Sequence, residues 1–462
     1  MYKQISVREY VDLAQSGSLN YSEFIIKYSE EVERLNSKFG FLNHTEELEY
    51  KEPEQVFYGL PISFKDCICV KGVPSRAGSK ILEGYKPPFD ATCVDLIKNH
   101  GGAVLGKTNQ DEFGFGSFST NSGFQIPKNP LDPTRVCGGS SGGSAGLVAA
   151  LQPHISLGES TGGSISCPAA YCGIAGLTPT YGLVSRYGLI SYADSMDKIG
   201  PIGKSVYDVA FMLSIIGGYD TKDQTSIQKE YEFYLNYLGE DVKGFKIGIP
   251  KEYFSDQVDQ RVNKEIWKGI KKLESLGCTY QEISLPSTKY SLPAYYIIAT
   301  SEASTNLARY SGMRYGVTGN PEKEMNKYFS EIRSSYFGEE AKRRILLGTF
   351  ARMAGYRDQY YLKAMKVRTK IIKEFKAAFS KFDVLITPTM PNIAPKFSEI
   401  DKLTPIENYM MDILTVAPNL AGIPMMSVPC GKVQGMPVGM HILGDHLQEK
   451  KLIALGDAFE GL

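Results

Sequence analysis

The sequence lacks the patterns that mark metal sites and disulfide frameworks. Its 462 residues include only five histidines, and its eight cysteines are scattered without any CxxC pair. Zinc sites are normally built from cysteines and histidines at short, paired spacing, so we expect no metal site. Scattered cysteines in a chain of this length are typical of a reducing compartment.

Long apolar runs and an excess of one charge are also missing. No stretch of about 18 apolar residues occurs, as a membrane span would require. The N-terminal segment MYKQISVREYVDLAQSG has no apolar signal-peptide core. Lys+Arg and Asp+Glu both number 51, which gives zero formal net charge and no broad basic surface for nucleic acid. We expect a cytoplasmic chain without membrane contact, working inside a complex because a neutral chain is poorly protected against association.

Strand and helix patterns alternate along the chain, which predicts an α/β layered fold. Helices are predicted at 20–37, 91–100, 257–276 and 447–459, and strands at 61–70, 103–105, 245–250, 278–284, 383–388, 425–430 and 437–443. Residues 290–380 are largely helical and form a flank or lid. No Pro- or Ser-rich linker divides the chain, so residues 1–462 are predicted to form one domain.

Residues 101–108, GGAVLGKT, match the phosphate-binding P-loop pattern G-x-x-x-x-G-K-[ST]. A P-loop follows a strand and opens a helix. Here a helical pattern precedes the segment, and its Ala-Val-Leu portion is typical of a strand. We therefore reject a nucleotide site, and with it a P-loop ATPase.

Residues 114–188 are dominated by Gly, Ser, Thr and Asn, yet they contain the apolar runs GLVAAL and AAYCGIAGL, which need burial. We interpret them as a packed centre whose backbone approaches another group closely, as glycine permits. Three short segments stand out in and before this stretch: GLPISFKD at 59–66, GGSSGGS at 138–144 and GESTGGSI at 158–165. Each taken alone fits an ordinary turn or a surface ion pair.

Together these segments resemble the amidase signature family in pattern and spacing, from about residue 59 to residue 203 and more weakly to the C-terminus. In that family the lysine of G-x-P-x-x-x-K-D, the first serine of G-G-S-S-G-G and the serine of T-G-G-S form the catalytic triad. Carried onto this chain, they are Lys65, Ser140 and Ser164. The resemblance implies a single-domain α/β/α sandwich around a mixed β-sheet, with its catalytic centre at 59–203.

The chemistry explains why the family needs these residue types. A serine hydroxyl attacks an amide only when a base removes its proton. No histidine lies in these segments, so Lys65 would be the base, with Ser140 relaying the proton from Ser164. Lysine has an ordinary pKa of about 10.4 and serves only when neutral, so burial must lower its pKa. The apolar neighbours expected to do so are Ile62, Phe64 and Ile68.

The same loop supplies the expected oxyanion hole and carries the departures from the family. The backbone N–H groups of Thr161, Gly162, Gly163 and Ser164 are expected to stabilise the oxyanion. The family usually has an acidic residue before T-G-G-S and then S-I-R-Q-P-A. Here Ser160 takes the acidic position, and Ser166 and Cys167 replace the Arg-Gln pair. The triad is intact, but the contacts around it are expected to differ.

Further segments resemble the glutamine-hydrolysing A subunits of tRNA-dependent amidotransferases. They lie at 177–190, 195–201, 295–304, 314–316, 342–348 and 408–422. The resemblance implies that Arg344 and Asp412 bind glutamine and that Tyr295 lines or gates the pocket. Arginine suits an α-carboxylate because it donates two parallel hydrogen bonds. Arg344 and Asp412 could each also be an ordinary charged residue on the exposed surface of a helix.

The resemblance implies a division of labour between subunits. This chain would hydrolyse glutamine without a cofactor. Ammonia would pass through an internal channel to a B subunit, which would bind misacylated tRNA and use ATP and Mg²⁺ to amidate Glu-tRNA(Gln), Asp-tRNA(Asn) or both. A small C subunit would brace the heterotrimer. Two alternatives stay open: a stand-alone amidase acting on a small-molecule amide, and a non-catalytic scaffold protein, against which the complete triad argues.

Overall fold

A mixed sheet of eleven strands organises the computed structural model, which describes residues 4–48, 56–320 and 322–462. The strands are β1 (Leu42–Thr45), β2 (Pro61–Lys65), β3 (Ala103–Thr108), β4 (Ile155–Ser160), β5 (Ala175–Thr178), β6 (Lys198–Gly203), β7 (Lys246–Pro250), β8 (Thr279–Ile283), β9 (Val384–Pro388), β10 (Met425–Val433) and β11 (Met436–Gly444). Their order is β1-β3-β2-β4-β6-β5-β10-β11-β9-β7-β8. The groups β3-β2-β4 and β9-β7-β8 are parallel, and the strands between them are antiparallel.

Helices flank this sheet and complete the single α/β domain that the alternating pattern predicts. They are α1 (Val7–Gln15), α2 (Tyr21–Phe39), α3 (Thr92–Asn99), α4 (Gly142–Ala150), α5 (Ser166–Cys172), α6 (Val206–Ile216), α7 (Gln260–Ser275), α8 (Ser291–Asn306), α9 (Met325–Tyr336), α10 (Glu339–Arg352), α11 (Lys363–Phe379), α12 (Phe397–Ile400), α13 (Pro405–Met410), α14 (Val416–Ala421) and α15 (Glu449–Glu460). The helical prediction for 290–380 is confirmed by α8 to α11. The boundaries of the catalytic centre at 59–203 stay a prediction.

The strand predicted over 61–70 is wrong beyond Lys65. The chain turns there, since the Ile68 N–H donates to the Lys65 carbonyl at 2.8 Å. The Asp66 carboxylate fixes the turn by accepting the N–H groups of Arg76 (3.3 Å) and Gly78 (3.1 Å). All five residues of β2 are buried, because parallel neighbours pair with both edges and the strand lies inside the sheet.

The segment that matches a P-loop is strand β3, which pairs in parallel with β2. The Lys107 side chain is buried, and its Nζ donates to Ser75 Oγ at 3.0 Å and to the Ile68 carbonyl. The segment therefore forms a strand, as its Ala-Val-Leu portion predicts, and not a phosphate-binding loop. The short strand predicted at 103–105 continues to Thr108.

Three further features of the described residues concern membrane-spanning helices, metal-binding clusters and disulfides. Across them, no helix combines the length and apolarity needed to cross a membrane. Within those same ranges, no group of three or more His, Cys, Asp or Glu side chains is placed to hold a metal ion. All eight cysteines are unpaired, and all but Cys430 are buried. Residues 1–3 of the N-terminal segment lie outside the described ranges.

Candidate active site

Lys65 and Ser140, which lie 75 positions apart, are in direct contact. Lys65 ends strand β2, is fully buried, and donates from Nζ to Ser140 Oγ at 2.7 Å. Ser140 lies in the glycine-rich loop that opens α4. They meet because α4 leads into β4, and β4 pairs with β2 in the register Phe64 to Leu157. The sheet therefore places the glycine-rich loop beside the end of β2.

The loop between β4 and α5 carries Ser164. The Ser141 N–H donates to the Ser164 carbonyl at 3.2 Å, which ties the two serine-containing loops together. Ser164 is 8% exposed, so it is almost fully enclosed by the surrounding residues. The three residues predicted as a triad thus lie in one buried site.

Two glycines before Ser164 allow the loop to pack closely. A Cβ at Gly162 would lie 2.5 Å from the Tyr295 hydroxyl, and a Cβ at Gly163 would lie 2.3 Å from Thr415 Oγ1. Gly163 also has a φ of 139°, which side chains strongly disfavour. Its N–H donates to Ser160 Oγ at 3.2 Å, so its use as an oxyanion donor requires this bond to break.

Arg344 is buried on α10 with only 3% of its surface exposed, so the surface-charge alternative is wrong for it. It donates to the Tyr192 hydroxyl at 2.6 Å and to Glu340 Oε1 at 2.8 Å. Four aromatic rings lie 5.0–5.6 Å from its guanidinium carbon: Phe115, Tyr192, Tyr296 and Tyr409. The four rings form an aromatic cage around the buried guanidinium, which also forms an ion pair with Glu340.

Asp412 lies half-buried near the same cage. Its carboxylate accepts hydrogen bonds from Ser117 Oγ and from the Tyr296 hydroxyl, both at 2.6 Å. Burial raises the pKa of Asp412, while these two donors and the positive charge of Arg344 oppose the rise. Arg344 and Asp412 therefore form a charged pair around Tyr296, with the Glu340 carboxylate as a further anion beside Arg344.

This charged pair adjoins the loop of the nucleophile candidate. The ring of Tyr295 packs against Gly162 and meets Tyr296 edge-on, with centroids 5.0 Å apart. Thr415 Oγ1 donates to the Asp412 carbonyl at 3.2 Å and also contacts Gly163. The structure thus brings all the predicted site residues into one connected set of contacts.

Residues 39–453 match the sequence family described as Amidase. The chain belongs to the amidase family. It is 47% identical over 447 residues to the A subunit of glutamyl-tRNA(Gln) amidotransferase from Methanococcoides burtonii, with 97% of this chain and 93% of that protein covered. It is 52% identical over 402 residues to the protein of the same name from Carboxydothermus hydrogenoformans, covering 87% and 83%.

Solved structures agree with this assignment. The crystal structure of the A subunit of glutamyl-tRNA(Gln) amidotransferase from Thermotoga maritima superimposes with a TM-score of 0.86 at 36% identity, covering 100% of this chain and 95% of that chain. A structure described as an amidase gives a TM-score of 0.80 at 26% identity, with 99% of both chains covered. The chain is an amidase-family enzyme with the amidase signature fold.

Sequence reasoning missed a carboxylate in this candidate site. Lys65 Nζ donates to Glu159 Oε2 at 2.7 Å and to the Glu159 carbonyl at 2.8 Å. The sequence suggested an apolar environment for Lys65. The structure shows that this environment also contains a carboxylate. The signal was present, because Glu159 lies one position before Ser160, where the family usually has its acidic residue.

The aromatic cage was also missed. Tyr409 stacks on Tyr296 with centroids 4.2 Å apart, and Phe115 meets Tyr192 edge-on at 4.7 Å. These residues come from four separate parts of the chain. No spacing or periodicity in the sequence links them.

Proposed function

We propose that this chain is the glutaminase component of a tRNA-dependent amidotransferase. The observation that carries the proposal is the contact of Lys65 with Ser140, near Ser164 and the charged residues Arg344 and Asp412. The similarity to the A subunits of amidotransferases supports it. The chain hydrolyses glutamine and supplies ammonia to a partner that amidates Glu-tRNA(Gln), Asp-tRNA(Asn) or both.

Hydrolysis proceeds through an acyl-enzyme. Neutral Lys65 accepts the hydroxyl proton of Ser140, which takes the proton of Ser164 as its oxygen bonds to the side-chain amide carbon. Backbone N–H groups of residues 161–164 stabilise the resulting oxyanion. The proton returns through Ser140 to the amide nitrogen, and ammonia leaves. Water then attacks the ester and releases glutamate.

The charged pocket suits free glutamine because this substrate is a zwitterion. Arg344 binds the α-carboxylate, and Asp412 binds the α-amino group. Tyr295, between the pocket and Gly162, lines the path of the side-chain amide towards Ser164. Both charges are held by neighbouring hydroxyl groups, so little reorientation is needed on binding.

The chain takes no cofactor of its own in this proposal. A B subunit holds ATP and Mg²⁺ and binds misacylated tRNA, and a small C subunit braces the heterotrimer. Because tRNA is the final acceptor, we place the complex in the cytoplasm. The ammonia must be sheltered on its way to the B subunit, which implies an internal channel.

Arg344→Ala and Asp412→Ala are each expected to raise the KM for glutamine roughly ten- to a hundred-fold, the loss of about 1.5–3 kcal/mol for a hydrogen bond to a charged group. Hydrolysis of butyramide, which lacks both α-groups, should change much less. Steady-state assays with both amides measure this. Arg343→Ala is the matched control, since Arg343 is an exposed neighbour on α10. Equal losses on both amides would mean that the two residues only support the structure.

The division of labour is tested by reconstitution. Purified chain receives glutamine, ATP, Mg²⁺ and misacylated tRNA, with and without the B and C subunits. We expect low glutaminase activity from the chain alone, stimulation by the partners with acylated tRNA, and amidated tRNA only in the complete mixture. Amidated tRNA made by the chain alone would contradict the proposal. Vigorous hydrolysis of unrelated amides without partners would favour a stand-alone amidase, and an inactive complete mixture would favour a scaffold protein.

A further inference from the structure

The carboxylate of Glu159, near the end of strand β4, contacts Lys65 at the end of strand β2. Successive residues of a strand point to opposite faces of the sheet. Ser160 lies opposite Lys198 of β6, and Glu159 lies opposite Ile199. Glu159 and Lys198 therefore lie on opposite faces of the sheet, and Glu159 forms a buried ion pair at 2.7 Å with Lys65, the last residue of β2.

The ion pair extends directly to the proton-relay serine. A Cβ built on Gly114 would lie 3.4 Å from Glu159 Oε2 and 3.5 Å from Ser140 Oγ. Lys65 Nζ donates to both of these oxygens at 2.7 Å. The same nitrogen is thus shared between an anionic acceptor and the serine to which it must become a base.

A second carboxyl group lies beyond Glu159 and does not contact Lys65 directly. The Thr161 hydroxyl lies 2.7 Å from both Glu159 Oε1 and Asp197 Oδ1. A hydroxyl has one proton and donates to only one of them, so the other contact requires a protonated carboxyl group. Burial and the negative charge of Glu159 raise the pKa of Asp197 well above its usual value. The ion pair with Lys65 favours the negative charge on Glu159, so we place the shared proton on Asp197.

Other titratable or charged groups surround this pair from each neighbouring element. They are Cys67 after β2, Asp111 before the turn at 112–114, Asp197 and Lys198 at the start of β6, Arg186 on the loop facing Asp197, Arg344 on α10 and Arg368 on α11. Burial raises the pKa of Asp111 to about 6, and burial with the charge of Arg368 lowers the pKa of Lys198 to about 7. Glu159 is the one carboxylate in direct contact with Lys65 among the described residues.

We propose that Glu159 is a positioning residue that keeps Lys65 in its ammonium form in the resting site and so sets the pH at which Ser164 becomes nucleophilic. This inference rests on the proposed role of Lys65 as the base. Activation requires the Lys65 ammonium to lose one proton to solvent water. The neutral amine then accepts the proton of Ser140, which accepts that of Ser164. A negative charge beside the ammonium opposes the first of these steps.

The test uses an alkyl fluorophosphonate, which forms a bond from the serine oxygen to phosphorus as fluoride leaves. The rate constant for labelling Ser164 is measured across pH by mass spectrometry, with no need for glutamine, tRNA or partner subunits. In Glu159→Gln the acid limb of this profile should move to lower pH by about one to three pH units. Glu159→Asp retains the charge and should keep the limb near its original position.

Two controls make the result specific. Glu449→Gln removes another buried glutamate, which accepts the Thr180 N–H at 2.8 Å, and should leave the limb in place. Glu159→Ser, which also removes the charge, gives a second measurement if Glu159→Gln is unstable. An unchanged limb in both neutral variants, or a shift to higher pH, would overturn the inference. Labelling that shifts as expected in a chain that hydrolyses no glutamine even with the B and C subunits and acylated tRNA would support the inference while refuting the proposed function.

Discussion

Replacing Ser164 by alanine is expected to lower glutamine hydrolysis by about 10⁵- to 10⁶-fold, the size of loss seen when a serine nucleophile is removed from a catalytic triad. The substitution deletes one hydroxyl oxygen from a loop whose shape is fixed by Gly162 and Gly163. The fold should therefore persist. Ammonia release, measured with the partner subunits present, checks the loss, and a thermal melt checks the fold.

Ser214→Ala is the matched control for this variant. Ser214 is a buried serine on α6 that donates to the Ala210 carbonyl at 2.8 Å and accepts the Tyr234 N–H at 2.8 Å. Its loss should cost about 1 kcal/mol of stability and leave hydrolysis nearly unchanged. Near-normal turnover by Ser164→Ala would show that another group attacks the amide.

Removing the amine of Lys65 should lower kcat by roughly 10²- to 10⁴-fold, the usual contribution of a general base. Lys65→Arg should not restore activity, because arginine remains protonated. In the unmodified chain, activity should rise with pH as Lys65 loses its proton. The pH profile of kcat/KM measures both effects, and a fully active Lys65→Arg variant would exclude lysine as the base.

Stability and catalysis can be separated at this position. Lys65→Met leaves the Glu159 charge buried without its partner, which should cost about 3–5 kcal/mol of unfolding free energy. The double variant Lys65→Met/Glu159→Gln removes both charges and should recover most of that stability without recovering activity. Denaturant unfolding measures the first quantity and ammonia release the second. Recovery of activity in the double variant would contradict the role of Lys65.

The alternation of strands and helices was predictable from the sequence, and so were the three segments at 59–66, 138–144 and 158–165. Strand patterns such as the one at 384–388 depend on short-range periodicity, and the triad segments retain a fixed local spacing. The strand at 61–70 was overestimated because its apolar residues continue past the turn that Asp66 stabilises through Arg76 and Gly78. An apolar pattern predicts which residues are buried. Here the residues stay buried beyond the end of the strand, so the pattern did not mark where the strand ends.

The surroundings of the charged residues in the candidate site were harder to predict than the contact between Lys65 and Ser140. Burial of Arg344 depends on rings that come from distant segments, so a local pattern could not distinguish it from a surface arginine. The Glu159 carboxylate lies one residue before the position at which the family usually has its acidic residue. A shift of one residue moves a side chain to the other face of a strand. Such effects follow from strand register, and only the three-dimensional structure shows which groups meet.

Acid quenching during glutamine turnover, followed by peptide mass spectrometry, tests the central claim most directly. We expect the peptide that contains Ser164 to carry a γ-glutamyl ester, and the ester to disappear in Ser164→Ala. The acid quench halts base-assisted hydrolysis, so an ester formed during turnover at the working pH is retained for detection. A glutamyl group found on Cys167, on Ser140 or on no residue during rapid turnover would contradict Ser164 as the nucleophile.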